Sequence, residues 1–205
     1  MPPTERTAGY ISGPAAATEP RQASLVAVES ARCIVLVEGV TDQIAVDRVA
    51  ARRGVGLNGP EVVVAPMGGA HAVATFLAAI DERSRRPDVV VGLCDDREAH
   101  VFRSAFARWR WPSGHVHVCR PDLEAELIRA LTPIRFLELI EREGDLGSFR
   151  TLQRQGVWRD RPIEEQLHRF LRAGARRGHV YVGAMVDALV DDEIPAPLDA
   201  VVRPL

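Results

Sequence analysis

The hydrophobic positions along this chain change character twice. From about residue 31 to 132, short β-branched runs alternate with stretches whose apolar residues recur every three or four positions. CIVLVE (33–38) leads into DQIAVDRVAARRG (42–54), and EVVVAPMGG (61–69) into HAVATFLAAIDER (71–83). DVVVGLCDD (88–96) leads into EAHVFRSAFARW (98–109), and HVHVCRP (115–121) into DLEAELIRAL (122–131). Continuous apolar runs predict strands buried on both faces, and the periodic stretches predict helices. Strands alternating with helices predict a parallel sheet with right-handed crossovers. The expected fold class is α/β, a parallel four-stranded sheet flanked by helices.

On either side of this unit the pattern differs. Residues 1–23 are rich in Pro, Ala, Gly and Thr without a period, which predicts a flexible N-terminal tail. The α/β domain is placed at 24–132. Beyond it, PIRFLELIERE, SFRTLQRQ, PIEEQLHRFLRAG and VYVGAMVDALV read as helices punctuated by Gly and Pro, a helical C-terminal extension over 133–205.

Composition narrows the chemistry. A hydrophobic fraction of 46% in 205 residues suffices for a real core, and a formal net charge of −2 does not mark a nucleic-acid protein by itself. All 26 basic residues are arginine, so a P-loop lysine, a Schiff-base lysine and a lysine general base are all excluded. Cys33, Cys94 and Cys119 are scattered without CxxC spacing, which argues against structural zinc and for buried free thiols. Free thiols fit a reducing, cytoplasmic setting. No apolar run approaches membrane-spanning length and no signal-peptide core is visible, so no membrane partner is expected.

Ligands of open α/β sheets bind at the carboxyl ends of the strands. Glu38 and Asp42 follow the first strand here; Asp95, Asp96 and Glu98 follow the third; Asp122 and Glu124 follow the fourth. Two carboxylates about 4 Å apart repel by about 4 kcal/mol at an effective dielectric of roughly 20, so the cluster calls for a cation. Oxygen ligands without His or Cys favour Mg²⁺ or Mn²⁺, an ion commonly completed by a phosphate oxygen. Phosphoryl chemistry on a nucleic acid or nucleotide follows as the natural reading.

EGxxD at Glu38–Asp42 after a first strand, with an Asp pair after a third, resembles the TOPRIM domain of topoisomerases, bacterial primases and OLD (overcoming lysogenization defect) nucleases. PDLEAEL is similar to the acidic "LE" element of the OLD type. The resemblance covers roughly residues 31–131 and implies a stand-alone OLD-like nuclease domain, with any ATPase on a separate protein. It implies Glu38 and Asp95 as catalytic residues, Glu38, Asp42, Asp95, Glu98 and Glu124 as ligands of Mg²⁺ or Mn²⁺, and nucleic acid, DNA before RNA, as partner. One departure stands out: the second acid of the family's DxD is Arg97 here, leaving Asp96 or Glu98 to substitute.

Blander readings accompany each residue. An acid at a helix start stabilises that helix without any ion, which covers Asp42, Asp95 and above all Asp122. Gly68 and Gly69 of PMGGAH serve a tight turn or the approach of a phosphate, and His71 reads as a capping or surface histidine. Arg150, Arg154, Arg176 and Arg177, with Trp158 and Phe149 interleaved, form the best basic patch for a nucleic-acid strand, or else a solvated helical face. Trp109 and Trp111 read as packing anchors. A catalytically weak TOPRIM module that binds metal, nucleic acid or a protein without cutting is the alternative function. A small-molecule phosphohydrolase, which predicts a closed pocket, is a third.

Overall fold

The computed structural model describes residues 18–57, 61–112 and 115–205. Most of the expected tail (1–17) lies outside the described residues. Its last residues do not: helix α1 (Thr18–Val28) begins inside 1–23, because Leu25 and Val28 are drawn into the core beside the sheet.

The four expected strands are present. They are β1 (Cys33–Val37), β2 (Val62–Pro66), β3 (Val89–Asp95) and β4 (Val116–Cys119), all parallel, in the order β2-β1-β3-β4. The sheet helices are α2 (Val40–Arg52), α3 (Val73–Asp81), α4 (Ala99–Arg108) and α5 (Leu123–Leu131). From β1 the chain crosses through α2 to β2 at one edge, then returns past β1 through α3 to β3. A right-handed crossover that reverses direction must change face. Accordingly α2 shares a core with Val35 and Val37 on one face, whereas α3 and α4 share a core with Ile34 and Leu36 on the other. Strand alternation thus splits β1 between two hydrophobic layers. The reversal leaves a crevice between the carboxyl ends of β1 and β3, the place where such sheets bind ligands.

The C-terminal helices are α6 (Pro133–Arg142), α7 (Leu146–Arg154), α8 (Ile163–Leu171), α9 (Ala175–Ala188) and α10 (Ala196–Val202). They do not form a separate body. Helix α9 lies along α2, α10 packs on β3 and β4, and α8 packs on α5. One continuous core runs from Val35 through Phe136, Phe149, Phe170 and Tyr181 to Val202, so the expected boundary at 132/133 passes between helices that share it. Arg52 fastens this arrangement: its Nη1 donates to Val186 O (2.9 Å) and Leu189 O (2.7 Å), carbonyls at the C-terminal end of α9.

The free thiols Cys94 and Cys119 are buried and Cys33 is half-buried. Trp111 is buried and Trp109 is packed against the same core, with Arg86 and Arg108 stacked on the two rings.

Gly92 shows how tightly one face is filled. Helix α4 presents Phe102 and Phe106, one turn apart, to the middle of β3. A Cβ on Gly92 would lie 2.9 Å from Phe102 Cδ1 and 3.3 Å from Phe106 Cε2. Gly92→Ala is expected to destabilise the protein by about 1–3 kcal/mol, read as a lower urea midpoint at unchanged slope.

Candidate functional site

The strand ends deliver their acids as follows. Glu38 leaves β1, and Gly39, in extended conformation, caps α2. Gly39 N–H donates to Asp42 Oδ2 at 2.9 Å, so one oxygen of Asp42 closes the first turn of α2. The β2 turn bends at Gly68 (φ 77°) and Gly69 (φ 120°), and Gly69 N–H donates to Glu38 O at 2.9 Å. These left-handed angles require glycine, and the turn fixes the Glu38 backbone. His71 follows it, exposed.

Strand β3 extends two residues beyond the Val37–Leu93 pair, which carries Asp95 level with the residues just after β1. Asp95 N–H donates to Glu38 Oε1 at 3.0 Å, joining the two strand ends. Asp96–Glu98 then form a 3₁₀ turn. In that geometry residues three apart eclipse, so Glu98 returns to the side of Asp95 while Asp96 turns away. Glu98 lines one groove with Glu38 and Asp95, whereas Asp96 is exposed and accepts from Arg120 Nε at 3.2 Å. Arg97 also lines the groove.

The carboxyls at this edge carry uncompensated charge. Burial, then the charge of Glu38, push the Asp95 carboxyl up to about 7. Burial likewise raises Glu38, with Glu98 and Glu124 adding repulsion. Asp42 is driven well above the carboxylate range by burial, against the relief of the Gly39 N–H. Glu124 is raised by burial and by Asp122.

Asp122 is the exception. It caps α5 through Ala125 N–H at 2.9 Å, which fits its reading as a cap, and it also meets α8: His168 Nε2 lies 2.8 Å and Arg172 Nη1 3.2 Å from Oδ2. Burial pushes Asp122 upward, but the His168 and Ala125 hydrogen bonds outweigh it and its pKa is lowered. The same bond to Asp122 raises His168. Asp122, Glu124 and His168 bring ligand atoms within 4.8 Å of one another, a possible metal-binding group. His168 would have to give up its proton and its bond to Asp122 to join such a site.

The groove spans about 1070 Å³ between the strand ends and α8, and opens to solvent instead of closing into a pocket. Its arginines are Arg97, Arg129, Arg169 and Arg172. Of the patch expected from the sequence, Trp158 lines the groove, while Arg150, Arg154 and Arg176 are exposed outside its lining. Arg177 stacks on Phe170 and faces Asp145 (3.8 Å), and Phe149 is core. Gly68, Gly69, Asp42 and Glu124 are not among the residues lining the groove, the two glycines being exposed and the two acids half-buried. His168 and Arg172 escaped the sequence reading. The one available signal was that Leu167, Phe170 and Leu171 bury the opposite side of α8.

A parallel sheet of order β2-β1-β3-β4 with helices on both faces and acids at the reversal between β1 and β3 has the architecture of a TOPRIM-like α/β fold. Residues 31–90, under a third of the chain, match the family model "Overcoming lysogenization defect protein-like, TOPRIM domain". The match contains Glu38 and Asp42 and stops short of Asp95. Two solved structures share the fold. The C-terminal region of the Burkholderia pseudomallei OLD protein is 18% identical, with a TM-score of 0.60, covering 84% of this chain and 96% of that one. The C-terminal region of the Xanthomonas campestris pv. campestris OLD protein is 17% identical, with a TM-score of 0.65, covering 86% and 93%. Such coverage exceeds residues 24–132, so the likeness includes helices of the extension. No curated protein matches the sequence. Among the described residues, no helix is long and apolar enough to cross a membrane.

A folded-state carboxyl raised above its ordinary value binds its proton more tightly than the unfolded chain does. Stability therefore falls as pH climbs from the ordinary carboxyl range through about 7. In EDTA, wild type is expected to lose melting temperature over that interval, and Asp95→Asn to lose less and melt higher at pH 8, at about 2–4 °C per kcal/mol relieved. His168, raised by Asp122, adds a loss above its own ordinary value in both proteins, so the difference between the two curves reports Asp95 together with its repulsion of Asp42 and Glu38.

Proposed function

We propose that the protein carries out Mg²⁺- or Mn²⁺-dependent phosphodiester chemistry on nucleic acid, with DNA the first substrate to test, as an OLD-like TOPRIM nuclease. The observation that carries this reading is the Glu38–Asp95 pair at the sheet reversal: two half-buried carboxyls, Glu38 Oε1 accepting from the Asp95 backbone N–H, with the Asp95 carboxyl pushed up to about 7 by burial and then by the charge of Glu38. Three hard oxygen donors facing one groove, Glu38, Asp95 and Glu98, fit a hard divalent cation. Glu124 adds repulsion at Glu38 and Asp95 and would be a further ligand beside Asp122, and Asp42 would join the ion on losing the proton that burial favours. Bound there, the ion would supply Lewis acidity toward a phosphate oxygen and lower the pKa of a water. Glu38, held against the Asp95 N–H, is oriented to accept a proton from the attacking water. Arg97, at the DxD position, lines the same groove and would meet the phosphate. Arg150, Arg154, Arg176 and Arg177 are assigned at most an outer electrostatic contribution, and the turn at Gly68 and Gly69 a supporting one.

The second reading, a module that binds without cutting, draws on the same place in the sequence. Arg97 stands where a second acid would, and Asp96 is spent on Arg120. A plasmid-nicking assay separates the two readings. Cleavage is expected with Mg²⁺ or Mn²⁺, falling more than about a hundredfold in Glu38→Gln and Asp95→Asn, since even outer partners of a metal site cost about 10–100-fold. A metal-dependent rise in wild-type melting temperature is expected to vanish in the same variants. Nicking that survives in both variants would remove these acids from the chemistry. No nicking, with the thermal shift intact, would establish the binding module.

A further inference from the structure

The wall of the groove opposite the acids carries an aromatic side chain that metal chemistry does not need. Trp158 sits in the turn after α7, packed on the core along one side and lining the groove along the other. Its position is built. Gln166, 5% exposed, donates from Nε2 to Trp158 O and Arg161 O, both at 2.9 Å, and accepts from Gln153 Nε2 at 2.7 Å. A buried amide is costly unless every partner is present, and here the partners are the backbone of the very turn that presents Trp158. Beside it, Arg169 continues the face of α8 that holds His168. Arg97 and Arg169 both line the groove, and neither makes an ion pair among the described residues.

We propose that Trp158 is a base-stacking platform and that the groove takes a single-stranded stretch of nucleic acid, its phosphates against Arg97 and Arg169. This deepens the reading of the acids as a phosphodiester site and rests on it for the substrate's class. A base offers its face to an indole only when it is unstacked from its neighbours, which a duplex interior does not allow. A groove of about 1070 Å³, against about 300–1,000 Å³ for sites that take one compact ligand, has room for a few nucleotides of one strand beside Trp158. Glu164 and Glu165 lie on the same wall, with Glu165 facing Arg161 at 3.6 Å. With these and the strand-end acids repelling phosphate, binding depends on a divalent cation.

The test is a fluorescence-anisotropy titration of labelled oligothymidine and of a blunt duplex of equal length, in Ca²⁺ in place of Mg²⁺ to avoid cutting. Wild type is expected to bind the single strand about tenfold or more tightly than the duplex. Trp158→Ala should lose roughly tenfold or more for the single strand and little for the duplex, while Trp158→Phe keeps most of the affinity. Equal binding by Trp158→Ala and wild type, a preference for duplex, or no binding by wild type would each overturn the proposal. If Trp158→Ala does not fold, Arg169→Ala, altered at an exposed position, carries the test. Weaker binding with a salt slope shallower by about 0.7 is expected, and an unchanged slope overturns the proposal. Nicking sensitive to Glu38→Gln alongside Trp158-independent binding would sink the stacking site alone. Trp158-dependent binding with nicking indifferent to Glu38→Gln would sink only the reading of the acids.

Discussion

Negative charge held out of water without a counter-charge is the constraint around which this molecule is arranged. Glu38 and Asp95 leave neighbouring strands at the point where the sheet reverses direction, and backbone N–H groups, Asp95 N–H to Glu38 and Leu123 N–H to Asp95, relieve them only in part. Asp122 makes the contrast instructive. It stands at the same edge and is more deeply buried, yet His168 and Arg172 neutralise it and its pKa falls instead of rising. The protein therefore has the means to pair a carboxylate at this edge and uses them on Asp122, while no ion pair among the described residues involves Glu38 or Asp95. Charge left unbalanced at a ligand-binding position is costly as structure and useful as a site.

Sheet and extension contribute unequal halves of this site. The parallel strands supply the acids on short, rigid ends, where position is set by register and not by loop conformation. The C-terminal helices supply the cationic and aromatic wall and simultaneously cover the face of the sheet that α2 leaves partly open. Arg52, reaching from α2 to the last carbonyls of α9, ties one function to the other.

Much of this was legible in the sequence because it depends on local patterns. β-branched runs mark strands wherever they occur, and a carboxylate directly after such a run must emerge at the sheet edge, so Glu38 and Asp95 were readable. The choice between Asp96 and Glu98 was not, because it turns on whether three residues adopt a 3₁₀ turn or continue extended. His168 and Arg172 were invisible for a different reason: their partner Asp122 lies 46 and 50 residues earlier, and no periodicity encodes which helix faces which acid. The basic patch was sought in the right segment, but composition cannot separate Trp158, which reaches the groove, from Phe149, which fills the core. Helix α1 was hidden by its Ala- and Pro-rich surroundings, where two apolar residues were enough to anchor it.

The continuous core from Val35 to Val202 bears on how such a protein evolves. An α/β unit whose second face is already closed can be copied, fused and shuffled as an interchangeable part. Here that face is closed by helices arriving some hundred residues later, so the acidic edge and its cover are inherited together. Recombination at the apparent border near residue 132 would hand on a sheet with one side covered only in part, by α2 and α5. Change in specificity is therefore confined to substitutions along the groove wall, at α8 and the turn before it, where side chains can vary while the carboxylates remain in place.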